Sequence, residues 1–342
     1  MGSVSGDADK CAIGLFDDLQ APSINDGIVE LTFKPSKQDG YPVWTESKSK
    51  LIQHYVRYFI LVTKHGTYID GFAGPQVEQY DSASWSAKRV LEIRPAWLRR
   101  FILCDMSAQQ VQHLNTLTAE RRAIGDNRKI EVHHGDFNIA IDQILLPGAI
   151  REKEATFCLL DQRTFECKWD TVRKIAEYKK AGTKIEQFYF LAVGWLGRSI
   201  AALKDDDKLR AWWGRDDIDL PRSTSNSVAL AQLFSYRFVR ELGYASAAAW
   251  PIYERLDSGL GKVMYFMIHA TDHEEAPKLM NRAYKAATLQ SQPMDHTQFS
   301  FDGEGFDLDI ANKYQADDSN ATGAQDVRGL REGDLGRPGR EV

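Results

Sequence analysis

Apolar residues along the chain change their spacing repeatedly, and those changes lay out the elements. Leu51, Ile52, Tyr55, Val56, Phe59 and Ile60 recur every three or four positions. That spacing predicts a helix from about Thr45, a good N-cap, to about Lys64, with one core-facing side. Trp44 and Lys48 stand apart from its apolar stripe. Past Gly66 the pattern turns continuous: Thr67-Tyr68-Ile69-Asp70 reads as a short buried strand closed by an acid, with Gly71 and Gly74 just after it. A polar loop holding Tyr80, Trp85 and Lys88 leads to a helix ending near Glu92.

The strand–helix unit then repeats. Arg99–Cys104 ends in Asp105 and precedes a helix over Ala108–Ala123. Ile130–His133 leads into Gly135-Asp136-Phe137 and another helix. Thr156–Leu160 ends in Asp161, followed by a helix over Trp169–Lys180 and a fifth strand over Gln187–Val193. Such alternation predicts a parallel sheet with helices on both faces. Near the end, Ala249–Arg255 and Lys262–His269, joined by Leu256–Gly261, predict an antiparallel hairpin. A helix carrying Leu279, Met280, Ala283 and Tyr284 follows it.

Three regions are expected: an N-terminal arm over 1–40, an α/β domain over 41–290, and a C-terminal extension over 291–342. The extension is Asp-, Gly- and Arg-rich from about 315, a composition that predicts disorder. Within the domain, the stretch near 199–226 carries Asp205-Asp206-Asp207, Trp212-Trp213 and Asp216-Asp217 and interrupts the alternation. It reads as a surface insertion or substrate cap, its tryptophans packing a lid.

The chain has 342 residues, 43% hydrophobic and 27% charged, and can bury a substantial core. It holds no apolar run long enough to span a bilayer, and no secretory signal stands out at its N-terminus. Cys11, Cys104, Cys158 and Cys167 are scattered without a C-x-x-C pair. Cys104 and Cys158 fall inside apolar strands, where buried free thiols are expected. These features predict a cytoplasmic protein with no structural metal. His133-His134 and the pair His269 and His273 lack metal-ligand spacing, and neither a nucleophile elbow nor a Walker loop is present.

A formal charge of −5 argues against a strongly basic nucleic-acid binder, while leaving room for a local patch. Arg94, Arg99 and Arg100 cluster, as do Arg121, Arg122, Arg128 and Lys129, and a solvated face is the plainer reading of both groups.

The acids Asp70, Asp105, Asp136 and Asp161, one at the end of each of four successive strands, form the informative pattern. In an open α/β sheet, ligands bind beyond the carboxyl ends of the strands. A carboxylate after the second strand can accept both ribose hydroxyls, and one after the third can accept an adenine amine. A glycine turn after the first lets a methionyl group lie against bare backbone. The competing reading makes these acids caps for the helices that begin there.

The alternation closed by a hairpin resembles the class I S-adenosylmethionine-dependent methyltransferase fold, a Rossmann-like, mostly parallel seven-stranded sheet with a C-terminal antiparallel hairpin. Trp44-Thr45-Glu46-Ser47-Lys48, Tyr68-Ile69-Asp70-Gly71-Phe72-Ala73-Gly74-Pro75, and Leu159-Leu160-Asp161 followed by Trp169 resemble the three-Cys-motif partner (TcmP) family. The similarity runs from about Tyr41 to Ala287. It implies S-adenosylmethionine as cofactor, contacted near Asp70, Gly71, Phe72, Gly74, Asp105 and Asp136. It also implies a protein partner bearing a three-cysteine motif, and it leaves the substrate open.

One departure matters. Amino-methyltransferases carry D/N-P-P-Y/F after the fourth strand, and many members of the partner family look closer to D-P-F-G. This chain has Asp161-Gln162-Arg163-Thr164-Phe165-Glu166. Asp161, Arg163 and Glu166 become the catalytic candidates, with an acid as general base and Arg163 gripping a phosphate or carboxylate. An Arg163–Glu166 salt bridge that only shapes the loop is the structural counterpart. Trp44 and Lys48 are candidates for a substrate or lid role. The residues therefore support an enzyme with an open acceptor, nucleic acid included. The alternative is a catalytically silent module that binds a partner protein or nucleic acid. A nicotinamide-dependent enzyme is disfavoured, because the glycine fingerprint is incomplete.

Overall fold

The structure, a computed structural model, describes residues 48–75, 84–223, 226–256 and 259–289. Expectations for the 1–40 arm, Trp44, Cys11 and the 291–342 extension lie outside the described residues. Contacts divide the chain into Met1–Ser291 and Gln292–Val342, and every described residue lies in the first unit.

The chain opens with α1 (Lys48–Thr63), β1 (Gly66–Asp70) and α2 (Ser86–Leu91), followed by β2 (Leu98–Asp105) and α3 (Ala108–Ala123). Next come β3 (Lys129–His134), α4 (Phe137–Ile144), β4 (Thr156–Leu160), α5 (Trp169–Glu177) and β5 (Glu186–Leu191). Four helices follow: α6 (Val193–Ala202), α7 (Asp206–Trp213), α8 (Asp219–Ser223) and α9 (Ser227–Arg240). The chain closes with β6 (Ser246–Leu256), β7 (Gly259–Thr271) and α10 (Ala276–Leu289).

One seven-stranded sheet has the order β3-β2-β1-β4-β5-β7-β6. Pairings among β1 to β5 are all parallel, whereas β7 runs antiparallel to both β5 and β6. This is the Rossmann-like class I methyltransferase architecture. The order reverses between β1 and β4, which places a crevice at the carboxyl ends of those two strands.

The strands read as continuous apolar runs because helices cover both faces. Successive residues nonetheless divide between two cores. Tyr68, Phe101, Leu103, Phe157, Leu159, Phe188 and Phe190 face α1, α2, α3 and α10. Ile69, Ile102, Cys104, Cys158, Leu160, Tyr189 and Leu191 face α4 to α7 and α9. Cys104, Cys158 and Cys167 are buried free thiols, as expected for the first two. Burial pushes the Cys158 and Cys167 thiols up, which leaves them inert packing groups. Among the described residues no helix is long and apolar enough to cross a membrane.

The structure departs from sequence expectation in three places. Val193 starts α6 rather than ending the fifth strand. The hairpin is longer than periodicity suggested, because Ser246, Ala247 and Ala248, ahead of the predicted start at Ala249, also pair with β7 despite the weak strand preference of alanine. Pro251 is tolerated there because β6 is an edge strand. The third departure concerns the tryptophans: Trp212 and Trp213 are fully buried in the core and do not pack an exposed lid. The Arg237 guanidinium lies 4.0 Å from the Trp169 ring centroid and 4.3 Å from that of Trp213. Arg237 also donates to the Trp213 carbonyl (2.7 Å) and to Glu241 (2.8 and 2.9 Å). Gly214 ends α7 with φ of +76°, and a Cβ there would lie 2.4 Å from the Trp169 ring. Only glycine satisfies both demands.

Trp213→Ala is expected to cost about 3–5 kcal/mol, read by urea denaturation, because a large core side chain is removed. A loss near zero would return this segment to the role of an exposed cap.

Candidate functional site

Asp70, Asp105, Asp136 and Asp161 lie at or just past the carboxyl ends of β1, β2, β3 and β4, so parallel register alone gathers them at one edge. Each carboxylate is accommodated differently. Asp70 is buried, accepting from Tyr68 Oη at 2.9 Å and from the Phe72 N–H at 3.1 Å. Burial pushes its carboxyl up to about 7, and the nearby Asp161 and Asp105 charges add to that effect.

Asp105 is half-buried and links two loops. One oxygen accepts the Gly74 N–H at 3.0 Å and the other accepts the Ser107 N–H at 2.9 Å, which leaves a lone pair free on each. The Ala73 N–H bonds the Cys104 carbonyl at 2.9 Å, so the glycine turn is stitched along the end of β2. Neither Gly71 nor Gly74 has a positive φ. Their need for glycine is close approach: a Cβ on Gly71 would lie 2.7 Å from the Phe137 ring, and one on Gly74 would lie 2.5 Å from Gln110 Cβ. The turn therefore packs against the protein itself, and a side chain there would disturb the fold before it met any ligand. Phe72 is half-buried and packs on Phe137 at 6.1 Å between centroids.

Asp136 caps α4, where its Oδ1 accepts from the Asn138 N–H at 2.9 Å and from Asn138 Nδ2 at 2.7 Å. The capping reading of this acid is thus correct, with Oδ2 left outside those two bonds. Cys104 lies behind the group. Its thiol is pushed up to about 12, first by burial and then by the charges of Asp105, Asp70 and Asp136.

Asp161 is held by Lys48. The ammonium is 2.7 Å from both carboxylate oxygens, and both side chains are buried (6% and 5% exposed). The same ammonium sits 4.8 Å from the Phe190 ring centroid and 4.7 Å from that of Tyr265. Sequence spacing set Lys48 apart from the core stripe of α1, and the structure buries it. Glu166 does not pair with the Arg163 guanidinium. Its Oε2 instead accepts the backbone N–H groups of Arg163 (2.8 Å) and Thr164 (2.7 Å), which shapes the loop. The Arg163 side chain is exposed, and no hydrogen bond or ion pair holds its guanidinium among the described residues. The Arg163–Glu166 salt bridge, the structural alternative for this pair, is therefore absent, although Glu166 does shape the loop.

Several residues that sequence reasoning passed over complete the edge. Gln162 is buried, accepting from the Cys167 N–H at 2.9 Å, so it cannot present its amide to an acceptor. Asn138 bridges the caps: it donates to Asp136 and to the Glu166 carbonyl, and accepts from the Lys168 N–H and from Thr171 Oγ1. Trp195 donates to the Arg163 carbonyl at 3.2 Å and stands edge-on to Tyr265 at 5.1 Å. No periodicity marks these residues, because each owes its place to a contact between distant segments. Met106 and Ile139, beside Asp105 and Asp136, are 68% and 69% exposed.

No family model and no curated protein matches this chain. Among solved structures it is similar to a SAM-dependent methyltransferase from Agrobacterium tumefaciens, at 10% identity and a TM-score of 0.35. That match covers 65% of this chain and 61% of the other, under two thirds of its length. It is also similar to a precorrin 8w decarboxylase of Methanobacterium thermoautotrophicum, at 12% identity and a TM-score of 0.28, covering 63% and 88%. Neither likeness is strong enough to lend this chain a function.

The Asp70 carboxyl carries a pH prediction. Its value in the folded protein, about 7, lies above the ordinary aspartate range, so the folded state holds the proton more tightly. Its contribution to stability is present below about pH 4 and is lost as pH rises to 7, by at most about 4 kcal/mol. Asp70→Asn is thus expected to gain stability relative to wild type between pH 4 and 7, measured by denaturant titration at each pH. A difference that stays constant or shrinks with pH would show that Asp70 ionises freely.

Proposed function

We propose that this chain is a class I S-adenosylmethionine-dependent methyltransferase of the three-Cys-motif partner type. The observation that carries the proposal is Asp105, whose two oxygens fix the β1 turn and α3 while keeping lone pairs free at the sheet edge. Those lone pairs suit the two ribose hydroxyls of the cofactor. The exposed Met106 and Ile139 offer apolar surface for an adenine ring, and Asp136 Oδ2 can accept its amine. When bound, the cofactor supplies an electrophilic methyl group. Of the residues facing the acceptor, Arg163 is free to hold an anionic group bidentately, and Lys48 and Asp161 form a neutral, rigid floor beside it. Nucleic acid is one acceptor class that fits this description, and the family resemblance adds a partner protein bearing a three-cysteine motif.

A second reading is a catalytically silent module, and one observation favours it. The fourth-strand acids are already engaged, Asp161 with Lys48 and Glu166 with backbone N–H groups. Neither is poised as an open general base.

Calorimetric titration with S-adenosylmethionine and with S-adenosylhomocysteine tests the cofactor assignment. Wild type is expected to bind, and Asp105→Ala to weaken binding about ten- to a hundredfold, or about 1.5–3 kcal/mol. Absence of wild-type binding at millimolar cofactor would end the proposal.

Labelled methyl transfer to protein and nucleic-acid acceptors separates the two readings. In an enzyme, Arg163→Ala is expected to raise KM roughly tenfold or more with little change in kcat. An absence of transfer in wild type that nevertheless binds the cofactor would favour the silent module.

A further inference from the structure

At the opposite, amino-terminal edge of the sheet, two basic clusters that are separate in sequence meet. A cleft of about 680 Å3 is lined by His65, Arg99, Arg100, Lys129, Arg151 and Lys153, where β1, β2 and β3 begin. An adjoining cleft of about 580 Å3 is lined by Arg94, Arg99, Arg121 and Arg128, so Arg99 belongs to both. The acids nearby are already taken. Asp126 accepts from Arg121 (2.9 Å) and Arg128 (2.6 Å), whose hydrogen bonds hold its carboxyl well below the usual range. Glu131 pairs with Arg100 and with Lys129 at 3.1 Å, and Glu154, which lines the first cleft, accepts from Thr67 Oγ1 and sets its charge against the Lys179 ammonium. Arg94, Arg99, Arg151 and Lys153 are exposed, and none has an ion-pair or side-chain hydrogen-bond partner among the described residues. Four uncompensated cations thus share one edge of a chain whose net charge is −5.

We propose that this edge is a docking surface for the phosphodiester backbone of a nucleic acid. Three of the four free cations are arginines, whose planar fork matches phosphate oxygens better than a lysine ammonium does. Several phosphates are needed to engage cations spread over two clefts, which selects a polymer over a mononucleotide. Neither cleft is lined by Phe, Tyr or Trp; beside their charged, small and glycine residues they hold only His65, Asn127 and Ile124. They therefore lack the large aromatic anchors of a protein interface and a Trp, Tyr or Phe base-stacking platform. Such a surface positions the polymer without reading its sequence. The eight residues of β2 separate it from the acid-lined edge by about 25 Å, too far for a small ligand to touch both. The inference stands independently of methyl transfer.

Fluorescence anisotropy with labelled mixed-sequence RNA and DNA, titrated over a range of salt without cofactor, tests it. Wild type is expected to bind at low salt with no sequence preference and an affinity that falls steeply with salt. The double variant Arg99→Glu, Lys153→Glu should lose more than tenfold in affinity and flatten the log–log salt slope by about 1.5–2. Lys204→Glu with Lys208→Glu, an equal charge change at exposed positions near α7, should leave binding within about twofold on the same counterion reasoning. Matching circular dichroism spectra would show that each variant is folded. Undetectable wild-type binding at low salt, an equally damaging control pair, or polyglutamate binding as tightly as nucleic acid would each overturn the proposal.

Discussion

Four carboxylates crowd one edge of the sheet, and the architecture around that edge is arranged to tolerate them. Parallel pairing brings Asp70, Asp105, Asp136 and Asp161 together at adjacent strand ends, where burial and then the Asp161 and Asp105 charges oppose ionisation of Asp70. Asp70 responds by holding its proton, Asp161 by pairing with Lys48, Asp105 by taking two backbone N–H bonds, and Asp136 by capping a helix. Asp105 and Asp136 are the two that keep unused acceptor capacity. On the proposed function, the cofactor's nucleoside is recognised through those two.

α1 connects this edge to the rest of the molecule. Its first residue supplies the Lys48 ammonium to Asp161. Two turns later Tyr55 donates to Glu186 at the amino end of β5, where His269 (2.8 Å) and Thr271 (3.3 Å) also meet that carboxylate. Between them, Leu51 and Ile52 pack into the core under the same helix. A disturbance of α1 would therefore reach buried charges on both β4 and β5, which is why this helix is more than cover for the sheet.

The two ends of the parallel strands differ in chemistry. One gathers carboxylates, and the other gathers unpaired guanidinium and ammonium groups whose nearby acids are spent. Net charge hides this division, because it sums over the polar faces of every element. The clusters around Arg94–Arg100 and Arg121–Lys129 read in sequence as ordinary solvated faces. Only the side-by-side start of β2 and β3 sets them along shared clefts, with Arg151 and Lys153 added from a distant loop.

Local pattern alone determined the strand–helix rhythm, the acids at the strand ends, the terminal hairpin and the core stripe of α1. Each of these follows from residue spacing along a single element, where burial and side-chain direction repeat with the backbone period. Tertiary structure decided what those residues do. Lys48 falls outside the stripe and reads in sequence as a substrate or lid candidate, and what encloses it comes from elsewhere in the chain: Asp161 just past β4, Phe190 of β5 and Tyr265 of β7. Trp212 and Trp213 looked like a lid because charges flank them, yet Phe234, Trp169 and Arg237 make them core. Glu166 lay close enough to Arg163 to suggest a salt bridge, but two backbone N–H groups in the same tight loop captured it first. Partner choice for a charged or amphipathic side chain depends on which distant segments fold against it, and residue spacing along one element carries no record of that.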